Sequence, residues 1–154
     1  MVSATVKVIA YKSCMRESDR AVSVIAITTE NLPFTMEAEA YTAMSGVEVE
    51  SCADIGGGEN VGYIDTGDWM DYTITVTAGG TYSTSYRVKG WDGGAQLELI
   101  KDGNVLAATG TNTGDVWATV TSGTFNLPEG TYTVRINASG GRFNLNWIMF
   151  TPLV

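Results

Sequence analysis

The sequence predicts an all-β protein built as a sandwich of short antiparallel strands, and three observations carry that prediction. Charged residues make up only 17% of the 154-residue chain while 18 glycines and many serines and threonines punctuate it, a composition poor in helix formers and rich in turn formers. Residues Trp69 to Val76 alternate with period two, placing Met70, Tyr72, Ile74 and Val76 on one face and Trp69, Asp71, Thr73 and Thr75 on the other. Turn signals then recur at short, regular spacing from Thr35 to the end of the chain.

Taken in order, residues 1–33 differ from the rest. Thr5 to Lys12 and Ala21 to Thr28 read as strands around the charged break Arg16-Glu17-Ser18-Asp19-Arg20, and Pro33 closes the segment. The sequence therefore divides into an extension over 1–33, with no role to assign, and a sandwich over 34–154. Strands are expected near 35–40, 62–65, 69–77, 81–89, 95–101, 104–109, 118–127, 131–138 and 145–151. Ala78-Gly79-Gly80, Lys101-Asp102-Gly103-Asn104 and Pro128-Glu129-Gly130 are compact turns, whereas Gly90 to Gly94, Gly110 to Val116 and Ser139 to Phe143 are longer. Successive antiparallel strands reverse direction, so the compact turns share one end of the sandwich and the longer loops the other. That second end gathers Tyr63, Trp91, Trp117 and Asn144 from four separate places in the chain. Each aromatic alone is equally a lid over the core, but their convergence favours a binding rim.

Composition excludes several function classes. With no histidine in the chain, Ser-His-Asp and Cys-His triads and histidine metal sites are absent, and any catalysis would fall to carboxylates. A formal charge of -8, with nine Lys and Arg dispersed along the chain, disfavours nucleic acid and anionic membranes as partners. No stretch is long and apolar enough to span a membrane, and the start of the chain lacks the basic and apolar regions of a convincing signal peptide. Cys14 and Cys52 are either one disulfide or two small apolar residues.

Trp69 lies on the polar face of its strand. A flat ring there is what the weakly polar face of a pyranose stacks on; the alternative is an edge tryptophan covered by a loop. Glu37 and Glu39 are two apart on an expected strand, which would point both carboxylates to one face, as two hard oxygen ligands of a calcium ion require; a solvated acidic pair is the alternative.

Several segments, Met36-Glu37-Ala38-Glu39-Ala40-Tyr41, Met44-Ser45-Gly46, Gly56 to Trp69 and Phe143-Asn144-Leu145-Asn146-Trp147-Ile148, occur in the order and spacing of carbohydrate-binding module family 6, which residues 35–152 resemble closely. The resemblance implies a jelly-roll β-sandwich of two antiparallel sheets, a structural calcium ion supported by Glu37 and Glu39, and up to two sugar sites. In the rim site a tyrosine and a tryptophan sandwich a sugar ring and an asparagine bonds it, roles that fall to Tyr63 and Asn144. The family commonly carries Trp-x-x-Trp where this chain has Asp115-Val116-Trp117-Ala118, so the second plane is either Trp117 or Trp91. On the sheet face the matching residue is Trp69, with Asp71 and Arg87 expected beside it.

The family further implies a noncatalytic, secreted module that targets an appended glycoside hydrolase to a polysaccharide. A β-glucan such as β-1,3- or mixed-linkage glucan is favoured over xylan or agarose. Two other classes stay open: a small carbohydrate-active enzyme using Asp65, Asp68 or Asp71, and an adhesion sandwich that binds protein. The Asp65-Thr66-Gly67-Asp68 segment reads more readily as the turn into Trp69.

Overall fold

The computed structural model describes residues 32–153. Among them, twelve strands follow in order: β1 (Phe34–Glu37), β2 (Ala43–Ser45), β3 (Glu48–Ser51), β4 (Glu59–Ile64), β5 (Trp69–Val76), β6 (Gly80–Gly90), β7 (Gln96–Lys101), β8 (Asn104–Gly110), β9 (Ala118–Thr121), β10 (Phe125–Leu127), β11 (Gly130–Gly140) and β12 (Phe143–Leu153). The first sheet runs β10-β6-β12-β4-β3, with β1 also pairing β12 and β9 also pairing β6; the second runs β2-β5-β11-β7-β8. All pairings are antiparallel. This is the two-sheet sandwich expected from composition and alternation. No helix in the described residues is long and apolar enough to cross a membrane.

Alternation in β5 decides which side of the second sheet faces the core. Met70, Tyr72, Ile74 and Val76 are all buried, and they meet Tyr82, Tyr86, Val88, Phe143, Leu145, Ile148 and Phe150 from the first sheet. The Tyr72 hydroxyl is satisfied inside that core by donating to the Ala38 carbonyl at 2.7 Å. Burial, and secondarily the nearby Glu39 carboxylate, hold this phenol well above its ordinary range.

Two expected strands are corrected. The strand expected over 35–40 ends at Glu37, and Ala38–Ala40 form a 3-10 turn. Ladder pairing with β12 stops at Glu37 opposite Trp147, and the chain then dips inward to bury Ala38. The strand expected over 118–127 breaks at Ser122-Gly123-Thr124, because β9 and β10 pair separate stretches of β6. The short edge strands β2 and β3 were not anticipated. Strands expected at 5–12 and 21–28, and Cys14, lie outside the described residues; Cys52 carries a free thiol.

Between β3 and β4 the chain makes a glycine-rich turn, Gly56-Gly57-Gly58, whose three positive φ angles suit glycine and whose surroundings are open. The turn is tied to the first sheet by Asp54, whose carboxylate accepts from Arg87 Nε and Nη2, both at 2.7 Å, and from Asn146 Nδ2 at 3.1 Å. Chiefly through the Arg87 hydrogen bonds, the Asp54 carboxyl is held down at about 2, against an ordinary 3.8. A depressed carboxyl contributes stability that is fully present above its unfolded value and is lost as pH falls through the folded one. Urea unfolding between pH 4 and pH 2 is therefore expected to show a loss of about 1–2 kcal/mol that Asp54→Asn removes. Equal pH slopes for the two proteins would refute it.

Candidate functional site

Strand direction sorts the connections as expected. The turns after β5, β7 and β10 lie at one end, and the loops 91–95, 111–117 and 141–142 gather at the other with the end of β4. Backbone hydrogen bonds lace these loops together: Thr111 N to Ala95 O at 2.8 Å, Asp115 N to Gly90 O at 3.0 Å and Trp91 N to Arg142 O at 3.3 Å. Gly90 is required by this packing, since a Cβ there would sit 2.0 Å from the Thr111 carbonyl oxygen.

A cleft of about 640 Å³ opens on this rim, lined by Tyr63, Trp91 and Asn144 together with Glu50, Lys89, Arg142 and neighbouring residues. Its form starts with an irregularity in the ladder. Phe143 pairs with Ile64 and Leu145 with Val61, so Gly62 and Tyr63 together oppose Asn144 across a bulge. Tyr63 adopts φ 56, a left-handed conformation rare for an aromatic residue, and the residue is 65% exposed. The bulge thus turns Tyr63 and Asn144 to the cleft from adjacent strands.

Asn144 donates both amide hydrogens inward, to Glu50 Oε1 at 2.5 Å and to Asn60 Oδ1 at 3.0 Å. What remains for a ligand is its carbonyl oxygen, beside the Glu50 carboxylate. The floor consequently presents acceptors, while Lys89 and Arg142 bring donors. Lys89 pairs with Asp115 at 3.1 Å and lies 5.6 Å from the centre of the Trp91 ring; Arg142 pairs with Asp65 at 2.8 Å. Trp91 is 43% exposed. Trp117 is half-buried beside the first residue of β9 and does not belong to the lining. Glu50, Lys89 and Arg142 were missed in the sequence. Glu50 reaches Asn144 only because β3 pairs with β4, and no local motif announces that.

Trp69 stands on the outer face of the second sheet, away from the rim cleft. Its expected neighbour Arg87 is corrected: Arg87 lies on β6 in the other sheet, paired with Asp54. The arginine beside Trp69 is Arg135 of β11, whose guanidinium lies 3.7 Å from the ring centre. Arg135 Nε and Nη2 donate to the two Asp71 carboxylate oxygens at 2.7 and 2.9 Å, which raises the Arg135 pKa above its ordinary value.

The three aspartates considered for catalysis all serve structure. Asp68 Oδ2 accepts from Asp65 N at 2.8 Å and Asp68 N donates to Asp65 O at 3.0 Å, closing the turn into β5; Asp65 and Asp71 are held by Arg142 and Arg135. Glu37 and Glu39 do not share a strand face as expected, since Glu39 falls in the 3-10 turn. Glu39 Oε2 is nonetheless buried without a hydrogen-bond partner. A buried anionic oxygen left unsatisfied fits a bound cation, and oxygen donors fit calcium.

Residues 37–152 match the family described as carbohydrate binding module (family 6). Among solved structures, a module of Cellvibrio mixtus lichenase 5A in complex with cellotriose is 36% identical with a TM-score of 0.72, covering 79% of this chain and 98% of that one. A β-1,3-glucan-binding module from Bacillus halodurans is 33% identical with a TM-score of 0.69, covering 77% and 95%. The clotting factor G alpha subunit of Tachypleus tridentatus is 34% identical over 77% of this chain, and the alpha-agarase of Alteromonas agarilytica 28% over 56%. The chain spans only 18% and 6% of the lengths of those two relatives.

Proposed function

Because the chain belongs to family 6 of the carbohydrate-binding modules, a noncatalytic family, we propose that its rim cleft binds a β-glucan and that it targets a glycoside hydrolase in the same protein, outside the cell, to that polymer. One observation carries the reading: two exposed rings, Tyr63 and Trp91, line a single cleft whose floor presents the Glu50 carboxylate and the Asn144 carbonyl. Rings take the apolar face of a pyranose, and acceptors take hydroxyl protons. The cellotriose complex and the β-1,3-glucan-binding module among its structural neighbours favour a β-glucan over xylan or agarose. Such a site binds with about 4–8 kcal/mol, the micromolar to millimolar range. Affinity electrophoresis against laminarin, lichenan, xylan and agarose tests it: retardation is expected in laminarin or lichenan, and retardation by xylan or agarose alone would refute the β-glucan assignment.

On the same reading, Glu37 and Glu39 hold a structural calcium ion, which would neutralise the buried Glu39 oxygen and fasten the 3-10 turn to the sandwich. Removing calcium with a chelator is expected to lower Tm by about 5 °C, and Glu39→Gln to abolish the difference. A wild-type Tm indifferent to calcium would end the assignment.

A further inference from the structure

The aromatic on the outer face of the second sheet is not in the state of those in the rim. Tyr63 and Trp91 are exposed, whereas Trp69, on a strand face turned to solvent, is only partly accessible. What covers it is Arg135. The register sets Arg135 opposite Asp71 and Asn137 opposite Trp69, so Arg135 is the diagonal neighbour of Trp69, within reach of a long side chain. Its guanidinium lies 3.7 Å from the ring centre while its two donors grip both oxygens of Asp71. One planar group thus completes a forked ion pair and a cation–π contact together, an arrangement suited to the rigid arginine fork. The next polar group on this face is engaged as well, since Asn137 Nδ2 donates to Glu98 Oε2 at 3.2 Å.

A sugar stacking on Trp69 would have to dislodge the guanidinium and break both hydrogen bonds to Asp71. We propose that Arg135 determines which face of this module binds sugar: held by Asp71 over the Trp69 ring, it closes the second sheet to stacking and confines binding to the rim cleft. The proposal rests on the carbohydrate-binding reading above. Arg135 and Asp71 act through Trp69, as positioning residues that need not touch a ligand.

The test combines a sugar-independent readout with a sugar-dependent one. Acrylamide quenching of tryptophan fluorescence, with the Trp69 share obtained by difference from Trp69→Phe, is expected to rise in Arg135→Ser and, through loss of the grip on the guanidinium, in Asp71→Asn. Laminarihexaose and cellohexaose are then titrated against proteins carrying Tyr63→Ala, following the Trp69 indole signal in 15N spectra. Tyr63→Ala is expected to lose binding, Tyr63→Ala/Arg135→Ser to regain it with the Trp69 signal moving, and Arg135→Ser alone to rise from about one ligand per module to about two. Trp69 signals that move with sugar in Tyr63→Ala would overturn the proposal. So would an Arg135→Ser protein in which Trp69 gains no accessibility, or gains it and still binds nothing there. The two readings fail separately: a wild type that binds neither oligosaccharide ends the β-glucan reading, and the quenching comparison then still decides whether Arg135 shields the ring.

Discussion

Tyr63→Ala is expected to abolish retardation by the bound polymer while leaving the melting temperature within about 2 °C of wild type, because the ring is exposed and packs little core. Removing a stacking ring forfeits its covered area and the aromatic contact itself, together about 2–3 kcal/mol, or roughly 30–150-fold in affinity. From a starting Kd of about 0.1 mM, that loss takes the affinity to about 3–15 mM and leaves no measurable retardation. Trp91→Ala is expected to match it, since both rings line one cleft. Trp117→Ala should do the reverse, keeping affinity while lowering stability, because that ring is half-buried outside the lining. Affinity electrophoresis beside thermal melts of the three variants decides between the two tryptophans that the sequence left open. Full retardation of Trp91→Ala with loss in Trp117→Ala would displace the site from the cleft.

Gly90→Ala carries the second large effect, and it acts on fold and binding together. The added Cβ would lie 2.0 Å from Thr111 O, 2.8 Å from Thr111 C and 3.3 Å from Asn112 Cα, all backbone, so no side-chain rotation relieves it. Loop 111–117 must move. The Gly90 carbonyl also takes Thr113 N at 3.3 Å and Asp115 N at 3.0 Å, and Gly90 N donates to Thr113 Oγ1 at 3.0 Å, so the movement breaks the lacing of the rim. A loss of about 2–3 kcal/mol is expected, with a drop of about 10 °C in Tm. Affinity should fall as well, since Lys89 and Trp91 flank the glycine. Gly93→Ala, with nothing within 4 Å of its added Cβ, is the control and should behave as wild type. A Gly90→Ala protein indistinguishable from that control would refute the account.

Features written in local periodicity were legible in the sequence. The two faces of β5 are where alternation puts them, and the division into compact turns and long loops places Tyr63, Trp91 and Asn144 at one end without any knowledge of strand pairing. Features that depend on register were not. Arg87 and Arg135 both follow alternating strand patterns, and only the pairing of β11 with β5 reveals that Arg135 meets Asp71 while Arg87 belongs to the opposite sheet. Glu50 was hidden for the same reason, ten residues before the Asn60 it faces and 94 before the Asn144 it holds. The bulge at Gly62-Tyr63 has no turn residue beyond a glycine to mark it. The 3-10 turn at Ala38–Ala40 follows from where the ladder with β12 ends, a long-range fact that the apparent alternation of Glu37 and Glu39 concealed.

The left-handed backbone at Tyr63 sets two kinds of selection against each other. Holding a non-glycine residue there costs about 1–2 kcal/mol, a strain that glycine would escape. A library randomised at position 63 and sorted only for resistance to heat or protease should drift to glycine, whereas the same library sorted on immobilised polymer should return aromatic residues. At this one position the enrichment ratio between the two sorts would measure how much foldedness the chain gives up to keep a ring in the cleft.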